Sequence, residues 1–425
     1  MSLPSEIQTL VVGAGPTGLV AAITLAKLGL QVAIVDASPT NPNGSRAGVV
    51  HARTLEVLDD VDLATPVIEA GTRSNGVVIH GSTNKIFESD FTQLRDYTEF
   101  PFSVLIPQDE IERIFREKIA SEHIPFLRNM RVVGLHQAGK GADVLFDDGS
   151  VVRAQYIVGA DGARSTIRQV SGIAFKDPKT GIAYDDTSVP ASFCVVLADV
   201  FLQEPLPKHI SLTQVSIYSD KFFLLVPFNS RADPKHDPIR AWRIGFGFSA
   251  SEPLPPKNPS MEYLQEQVDA RDPHASKIII ESVSNCSRYR VRAAVADTYF
   301  HKIGEGNVLL AGDAAHVHSP AGAQGMNLGI CDAFAAAHAI KAHVDAQGLQ
   351  AEEHERDNAL RRYGDSRRKI GIRVIGVTRG LTVLINSGTG WRRVVRNLLL
   401  RLAAYLPFVG RRAAWRISGL ANRDG

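Results

Sequence analysis

Thr9-Leu10-Val11-Val12-Gly13-Ala14-Gly15-Pro16-Thr17-Gly18, read on to Asp36, is the stretch that decides the fold. Thr9–Val12 is a short apolar run. Leu19, Ile23, Ala26 and Leu30 then recur at helical spacing, Gly29 closes that helix, and Gln31–Asp36 is a second strand. The result is a strand, glycine turn, helix and strand. In such a unit Gly13 permits the tight turn, Gly15 lets a pyrophosphate approach the backbone, and Gly18 allows close helix packing. The phosphates would rest on the helix start at Pro16 and Thr17, where unpaired N–H groups and the helix dipole favour negative charge. Asp36 ends the second strand, 21 residues after Gly15, where a carboxylate can accept from a ribose and would repel a 2′-phosphate. The tightly held nucleotide is therefore expected to be FAD or NAD rather than NADP.

Working outward, Gln155–Val158 and Asn307–Ala311 are two more apolar runs that lead into Gly/Asp turns and helical segments, so one parallel sheet is expected from distant pieces. The third piece chooses FAD. Gly312-Asp313-Ala-Ala-His316 is followed by Pro320 and by Gly322-Ala-Gln-Gly325-Met326-Asn327, which opens a long helix through Ile330 and Phe334. Asp313 at a strand end can hold a ribityl hydroxyl. A helix starting at Gly325, Met326 and Asn327 would direct its positive end at the pyrimidine edge of a flavin, where reduced flavin carries negative charge.

Residues 179–290 have a different texture, with alternating segments such as Gln214–Tyr218, Phe222–Phe228 and Ala241–Phe248 between polar loops, which predicts an antiparallel sheet. The stretch 76–103 is expected to join it, 250–260 is a loop, and Ser260–Ala270 is a short helix. After about residue 330 the pattern is helical, with breaks at Gly388-Thr-Gly390 and Pro407.

Composition excludes several classes. At 44% hydrophobic and 22% charged, the 425 residues are ordinary globular chain. Cys194, Cys286 and Cys331 show no C-x-x-C spacing, so neither a disulfide framework nor a metal site is expected. No signal peptide, membrane span or nucleic-acid motif is visible, and a reducing, cytoplasmic setting is expected. Charge is uneven: residues 361–425 hold 15 Lys and Arg against Asp365 and Asp424, a balance of +13 in a chain whose net charge is +2.

With these motifs in order, the chain resembles the single-component FAD-dependent aromatic hydroxylases of the p-hydroxybenzoate hydroxylase type. Gly13–Gly18 matches that family's first fingerprint, Asp161-Gly162 within Gly159-Ala-Asp-Gly-Ala-Arg164 its second, and Gly312-Asp313 its third. The resemblance implies an α/β fold: a Rossmann-like FAD-binding domain (1–75, 104–178 and 290–345), an inserted antiparallel-sheet substrate domain (76–103 and 179–289) and a helical C-terminal region (346–425). It also implies that Arg46, Gln108 and Asp161 contact a non-covalently held FAD, and that Arg53, in Arg53-Thr-Leu-Glu56, belongs to the same stretch. Where Asp36 stands the family usually has Glu, one methylene longer.

The implied chemistry is hydroxylation of an electron-rich phenolic substrate with O2 and NAD(P)H through a flavin hydroperoxide, with or without decarboxylation, as in aromatic and secondary metabolism. No second Rossmann unit exists, so NAD(P)H is expected to dock transiently. Pro320 is expected beside the flavin, Tyr218 to polarise a phenol, and Arg243 to pair with a substrate carboxylate. Phe222, Phe223, Phe246 and Phe248 are expected to divide between pocket and core, and His316 and His318 to be loop residues without a metal. Baeyer–Villiger oxygenation of a ketone and a non-catalytic flavin-bound redox sensor remain as alternatives. A halogenase is disfavoured because Trp242, Trp391 and Trp415 are isolated.

In the basic C-terminal region, Trp391, Val395, Leu398 and Leu402 share a helical face edged by Arg392, Arg393 and Arg396. That face is expected to pack on the FAD domain, with peripheral membrane contact as the other reading. The expected oligomeric state is monomer or homodimer.

Overall fold

The first strand begins at Glu6 rather than Thr9, because Glu6 and Ile7 already pair with Arg153 and Ala154. It runs to Val12, and the helix Pro16–Lys27 follows with a proline in its first turn, where a missing N–H loses no bond. Gly29, at φ +78°, releases the chain into the strand Val32–Asp36. The computed structural model describes residues 3–40, 47–81, 84–185, 193–219, 222–229, 240–249, 252–347, 356–386 and 391–423.

Glu6–Val12 lies between Val32–Asp36 and Val151–Gly159, parallel to both, and Val151–Gly159 is in turn parallel to Gly306–Leu310. The pieces distant in sequence thus form one parallel sheet, extended at one edge by Phe126–Arg128 and at the other by the antiparallel strand Phe300–Ile303. Central strands such as Leu10–Val12 and Val308–Leu310 are buried, as strands covered on both faces require. The helices Pro16–Lys27 and Gln324–Gln347 pack against each other.

Among the described residues the second sheet has seven strands, in the order Ile280–Arg290, Phe193–Leu202, Arg240–Ser249, Phe223–Asn229, Val215–Tyr218, Gly76–His80 and Lys85–Asp90. Of the stretch 76–103, Gly76–His80 and Lys85–Asp90 pair into this sheet, whereas Ser103 opens the strand Ser103–Leu105, which pairs with Val49–Val50 and Thr72–Ser74 instead. One pair departs from the antiparallel pattern: Val215–Tyr218 runs parallel to Gly76–His80. These two strands are far apart in sequence, so no hairpin dictates their direction. The outer face of this sheet carries Val196, Ile244 and Phe246 against Leu264 and Val268 of the helix Met261–Arg271. Ser260 caps that helix by accepting from the Tyr263 N–H at 3.3 Å.

Helices Asn358–Asn386, Trp391–Ala404 and Pro407–Ile417 complete the chain. The expected break at Gly388-Thr-Gly390 lies outside the described residues, as do Arg46 and the side chains of Arg392 and Arg393. The last helix docks firmly: Ala414 and Leu420 are buried with Ala52, Phe91 and Leu94, and Arg423 pairs with Glu56, which also binds Arg53 at 3.0 Å. The helix before it overturns the expected packing. Trp391, Val395, Leu398 and Leu402 are exposed, while Arg396 is buried and donates to the carbonyls of Ser219 and Leu384 at 3.4 and 3.3 Å. The carbonyls of Ser219 and Leu384 beneath the helix accept from this arginine and hold it inward. Among the described residues, no helix is long and apolar enough to cross a membrane.

Candidate flavin and substrate site

Glycines bring the three sequence motifs together. A Cβ on Gly13, whose φ is +105°, would lie 2.3 Å from the Ala160 carbonyl oxygen, and one on Gly18 would lie 1.8 Å from the Gly13 oxygen. At Gly312, φ +62°, it would meet Thr17 Oγ1 at 2.7 Å, and at Gly329 it would meet the same oxygen at 2.5 Å. The first turn, the Asp161 turn and the Asp313 turn therefore touch only because side chains are missing at these points. Gly15 differs: nothing lies within 4 Å of its Cβ position, which leaves its backbone accessible at the helix start. This is a cradle for phosphate.

A cavity of about 650 Å³ starts at this turn and ends under the seven-stranded sheet. Gly13, Gly15, Pro16, Thr17, Asp36, Gln108, Asp161, Asp313, Pro320, Gly325, Met326 and Arg243 all line it. Gly18, Gly312 and Asn327 do not; their contribution is packing and hydrogen bonding behind the wall. Asn327 Oδ1 accepts from the His51 N–H at 2.8 Å, and its amide donates to the Val49 carbonyl at 2.8 Å. This fixes the start of the long helix against the strand Val49–Val50.

The polar atoms at the nucleotide end are pre-set. Asp36 accepts from the Ala14 N–H through Oδ2 and from the Ser38 N–H through Oδ1, both at 2.7 Å, so its carboxylate already braces the glycine turn. Gln108 accepts from the Ala47 N–H at 3.0 Å and donates to Glu112 at 2.9 Å. Asp161 Oδ2 accepts from the Ile167 N–H at 3.0 Å, whereas its Oδ1 is buried with no partner. Burial pushes this carboxyl above its ordinary range. A buried acceptor without a partner, on a residue of the cavity wall, is one that a bound dinucleotide hydroxyl or amine would satisfy.

A family model described as "FAD binding domain" matches residues 6–376. The chain belongs to that family. Its fold is that of the p-hydroxybenzoate hydroxylase type, and FAD is the cofactor that the cradle fits. Among curated relatives, this flavoprotein is 29% identical over 340 residues to pentachlorophenol 4-monooxygenase of Sphingobium chlorophenolicum, covering 78% of this chain and 57% of the relative. It is 28% identical over 384 residues to 6-methylpretetramide 4-monooxygenase of Streptomyces rimosus, covering 89% and 62%. The chain thus spans less than two thirds of the length of these relatives. A solved p-nitrophenol 4-monooxygenase from Pseudomonas putida DLL-E4 superposes with a TM-score of 0.79 at 22% identity, covering 99% of this chain and 100% of that one. That likeness speaks for the fold alone.

At the sheet end of the flavoprotein's cavity, pleat parity decides which side chains enter. Phe193, Val195 and Leu197 point in, as do Val215 and Ile217, and Phe222, Leu224 and Val226. Tyr218 therefore points out. Its ring is stacked on His80 at 4.9 Å and sits in the outer core with Phe223 and Phe246, so the expected phenol-polarising role is not one this position can perform. Phe248 is also core, and Phe222 alone of the four phenylalanines faces the cavity. Arg243 does face it, but Asp199 grips the guanidinium at 2.7 Å (Nε–Oδ1) and 2.9 Å (Nη2–Oδ2). A substrate carboxylate would compete with that built-in one.

His51 is a lining residue that sequence reading did not single out. Its Nε2 donates to the Gly322 carbonyl and its Nδ1 meets the Ser103 hydroxyl, both at 3.0 Å; burial pushes its pKa down to about 4. The signal available was its place two residues before Arg53-Thr-Leu-Glu56. His316 is structural: it binds Asp332 at 2.6 Å, and Arg367 holds the same carboxylate at 2.7 Å behind the Asp313 turn. The described residues include one group with metal-ligand chemistry, His209, Asp272 and His274, away from the main cavity. Its imidazoles are stacked at 3.8 Å and 11°, so the in-plane lone pairs do not converge on one point.

Proposed function

We propose that this chain is an FAD-dependent monooxygenase that takes electrons from NAD(P)H and inserts one atom of O2 into an electron-rich, phenolic ring. The balanced reaction consumes NAD(P)H, a proton, O2 and the arene, and yields NAD(P)+, water and the hydroxylated arene. The observation that carries this reading is the single cavity running from the glycine cradle at Gly15 to the apolar wall of Phe193, Leu197, Ile217, Phe222 and Leu224. The names of the relatives point the same way. Bound FAD supplies the redox chemistry that activates oxygen.

The chain's own residues do the rest. The turns at Gly13–Thr17, Asp36 and Asp161 hold the dinucleotide, Asp313 holds the ribityl chain, and Gly325 and Met326 present a helix start to the ring system. Pro320 and Gly322 form the wall between flavin and substrate. The apolar sheet orients the ring and excludes water. At the sheet end Arg243 is the sole charged lining residue among those described, and Asp199 already offsets its charge, which favours a neutral phenol over a phenolic acid. FAD is held without a covalent link: among the described lining residues none is Cys, and the one His, His51, has both ring nitrogens engaged.

The test is a panel of neutral phenols and phenolic acids offered to the FAD-loaded protein with NADH and NADPH. Substrate-stimulated NAD(P)H oxidation with one 18O from 18O2 in a ring hydroxyl is expected. A lactone or ester product would shift the reading to Baeyer–Villiger chemistry, and no stimulation by any ring would leave a flavin-binding sensor. Acid precipitation should release the flavin into the supernatant.

A further inference from the structure

The helix Trp391–Ala404 is inverted relative to a surface helix in water. Trp391, Val394, Val395, Leu398, Leu399 and Leu402 follow the i, i+3, i+4, i+7, i+8, i+11 spacing of one apolar face, and that face is the outer one. Trp391 is 71% exposed, Val394 65% and Leu399 59%. The apolar surface continues past the helix through Tyr405, 83% exposed, and Phe408, 61% exposed. Single exposed apolar residues are ordinary; a contiguous run of this size marks a surface that something covers.

Charge identifies what covers it. No Asp or Glu occurs from residue 366 to 423, while Arg401, Arg411 and Arg412 stand exposed beside the apolar run. A second copy of this chain meeting the face about a two-fold axis would set arginine against arginine, with no carboxylate on the helix or on the turn and helix after it to compensate. An anionic bilayer offers what the face lacks on both counts: acyl chains for the leucines and valines, and headgroup phosphates for the arginines. Trp391 and Tyr405, one at each end, have the amphipathic rings that favour the headgroup level. Polar bonds from Arg396 to Ser219 and Leu384 fasten the helix to the body of the protein with its leucines and valines turned outward, the direction from which lipid would approach.

We propose that this helix and the turn to Phe408 form a docking face for an anionic membrane surface. The cavity lies beside it. The helix Asn358–Asn386 contributes Leu381 and Leu384 to the cavity wall and turns Val383, 61% exposed, to the outside. A lipophilic phenol dissolved in the bilayer would then reach the flavin without crossing water; this last step rests on the hydroxylase reading above.

Flotation of the whole, FAD-loaded chain tests it, with vesicles of phosphatidylcholine alone or mixed with phosphatidylserine, at low and moderate ionic strength. The protein should float with the mixed vesicles at low salt, less at moderate salt, and weakly with phosphatidylcholine. Leu398→Glu with Leu402→Glu should abolish flotation while flavin content and circular dichroism stay unchanged. Arg401→Gln, Arg411→Gln and Arg412→Gln together should lower partitioning onto mixed vesicles by about tenfold to a hundredfold. The proposal is overturned if the wild-type chain stays below the mixed vesicles at low salt, or if the glutamate variant floats as well as wild type. It is also overturned if sedimentation shows a dimer that the glutamate variant dissolves. Flotation without any phenol-stimulated NAD(P)H oxidation would instead overturn the hydroxylase reading and leave the docking face standing.

Discussion

Arg243 and Asp199 form a two-pronged ion pair across adjacent strands, with Nε–Oδ1 at 2.7 Å and Nη2–Oδ2 at 2.9 Å, both side chains almost fully buried. Removing one partner leaves an uncompensated charge under the sheet. Asp199→Ala is expected to lower stability by about 3–5 kcal/mol, whereas Asp199→Leu combined with Arg243→Leu should lose much less. Urea unfolding of the two variants decides this. If the single substitution lost under about 1 kcal/mol, the pair would not be the internal neutralisation argued for Arg243.

Gly15 and Gly18 should separate binding from folding. Gly18→Ala forces a Cβ against the Gly13 carbonyl and is expected to give little folded protein. Gly15→Ala meets no protein atom and should fold normally, yet bind FAD at least about tenfold more weakly because the methyl group occupies the pyrophosphate's approach. Flavin titration of refolded apoprotein reads both. Equal behaviour of the two variants would mean that the cradle does not hold phosphate.

Asp313→Ala should weaken FAD binding by roughly tenfold to a hundredfold, the loss of a charged hydrogen bond of about 1.5–3 kcal/mol. Phe222→Leu, at the far end of the same cavity, should leave flavin content unchanged and alter substrate-stimulated turnover instead. Flavin absorbance per mole of purified protein is the measurement. Full occupancy in the Asp313 variant would remove that residue from the ribityl assignment.

Tyr218→Phe should change kcat and KM for the best phenol by less than about twofold. The hydroxyl belongs to the outer core, where burial pushes its pKa up to about 12. A large loss in kcat with flavin content intact would place Tyr218 in the catalytic site after all.

Two histidines, the buried His51 and the half-buried His318, set an acid limit. Burial pushes both His51 and His318 down to about 4 from an ordinary 6.5. Between those values the unfolded chain binds a proton that the fold refuses, so unfolding is favoured as pH falls; above 6.5 both states are neutral and the effect vanishes. Stability should drop by up to about 1.4 kcal/mol per pH unit for each histidine between pH 6.5 and 4. Urea midpoints that stay level from pH 7 to 5 would show that the two rings are hydrated in the fold.

At the glycine cradle, residue type and spacing carry most of the information. The close approaches at Gly13 and Gly18 follow from residue type and spacing, because a missing side chain at a tight turn is a local steric requirement, whereas Gly312, expected at the cofactor, packs on Thr17 behind the cavity wall. That distant pieces join one parallel sheet follows from their short apolar stretches, Leu10–Val12, Val32–Val35, Tyr156–Val158 and Val308–Leu310, all of which are buried; their order in the sheet is a tertiary matter. Tyr218, Arg243 and the helix Trp391–Ala404 were decided elsewhere. Tyr218 takes the outer face in a register shared with His80, more than a hundred residues earlier, and with Phe223 across the hairpin, and in a strand a shift of one residue exchanges the faces. Arg243 is neutralised by Asp199, a partner that strand pairing supplies and spacing cannot show. The apolar face of Trp391–Ala404 is plain in the sequence, but a helical period states only that two faces differ. Which one turns inward depends on what the protein offers beneath it, and there the carbonyls of Ser219 and Leu384 take Arg396.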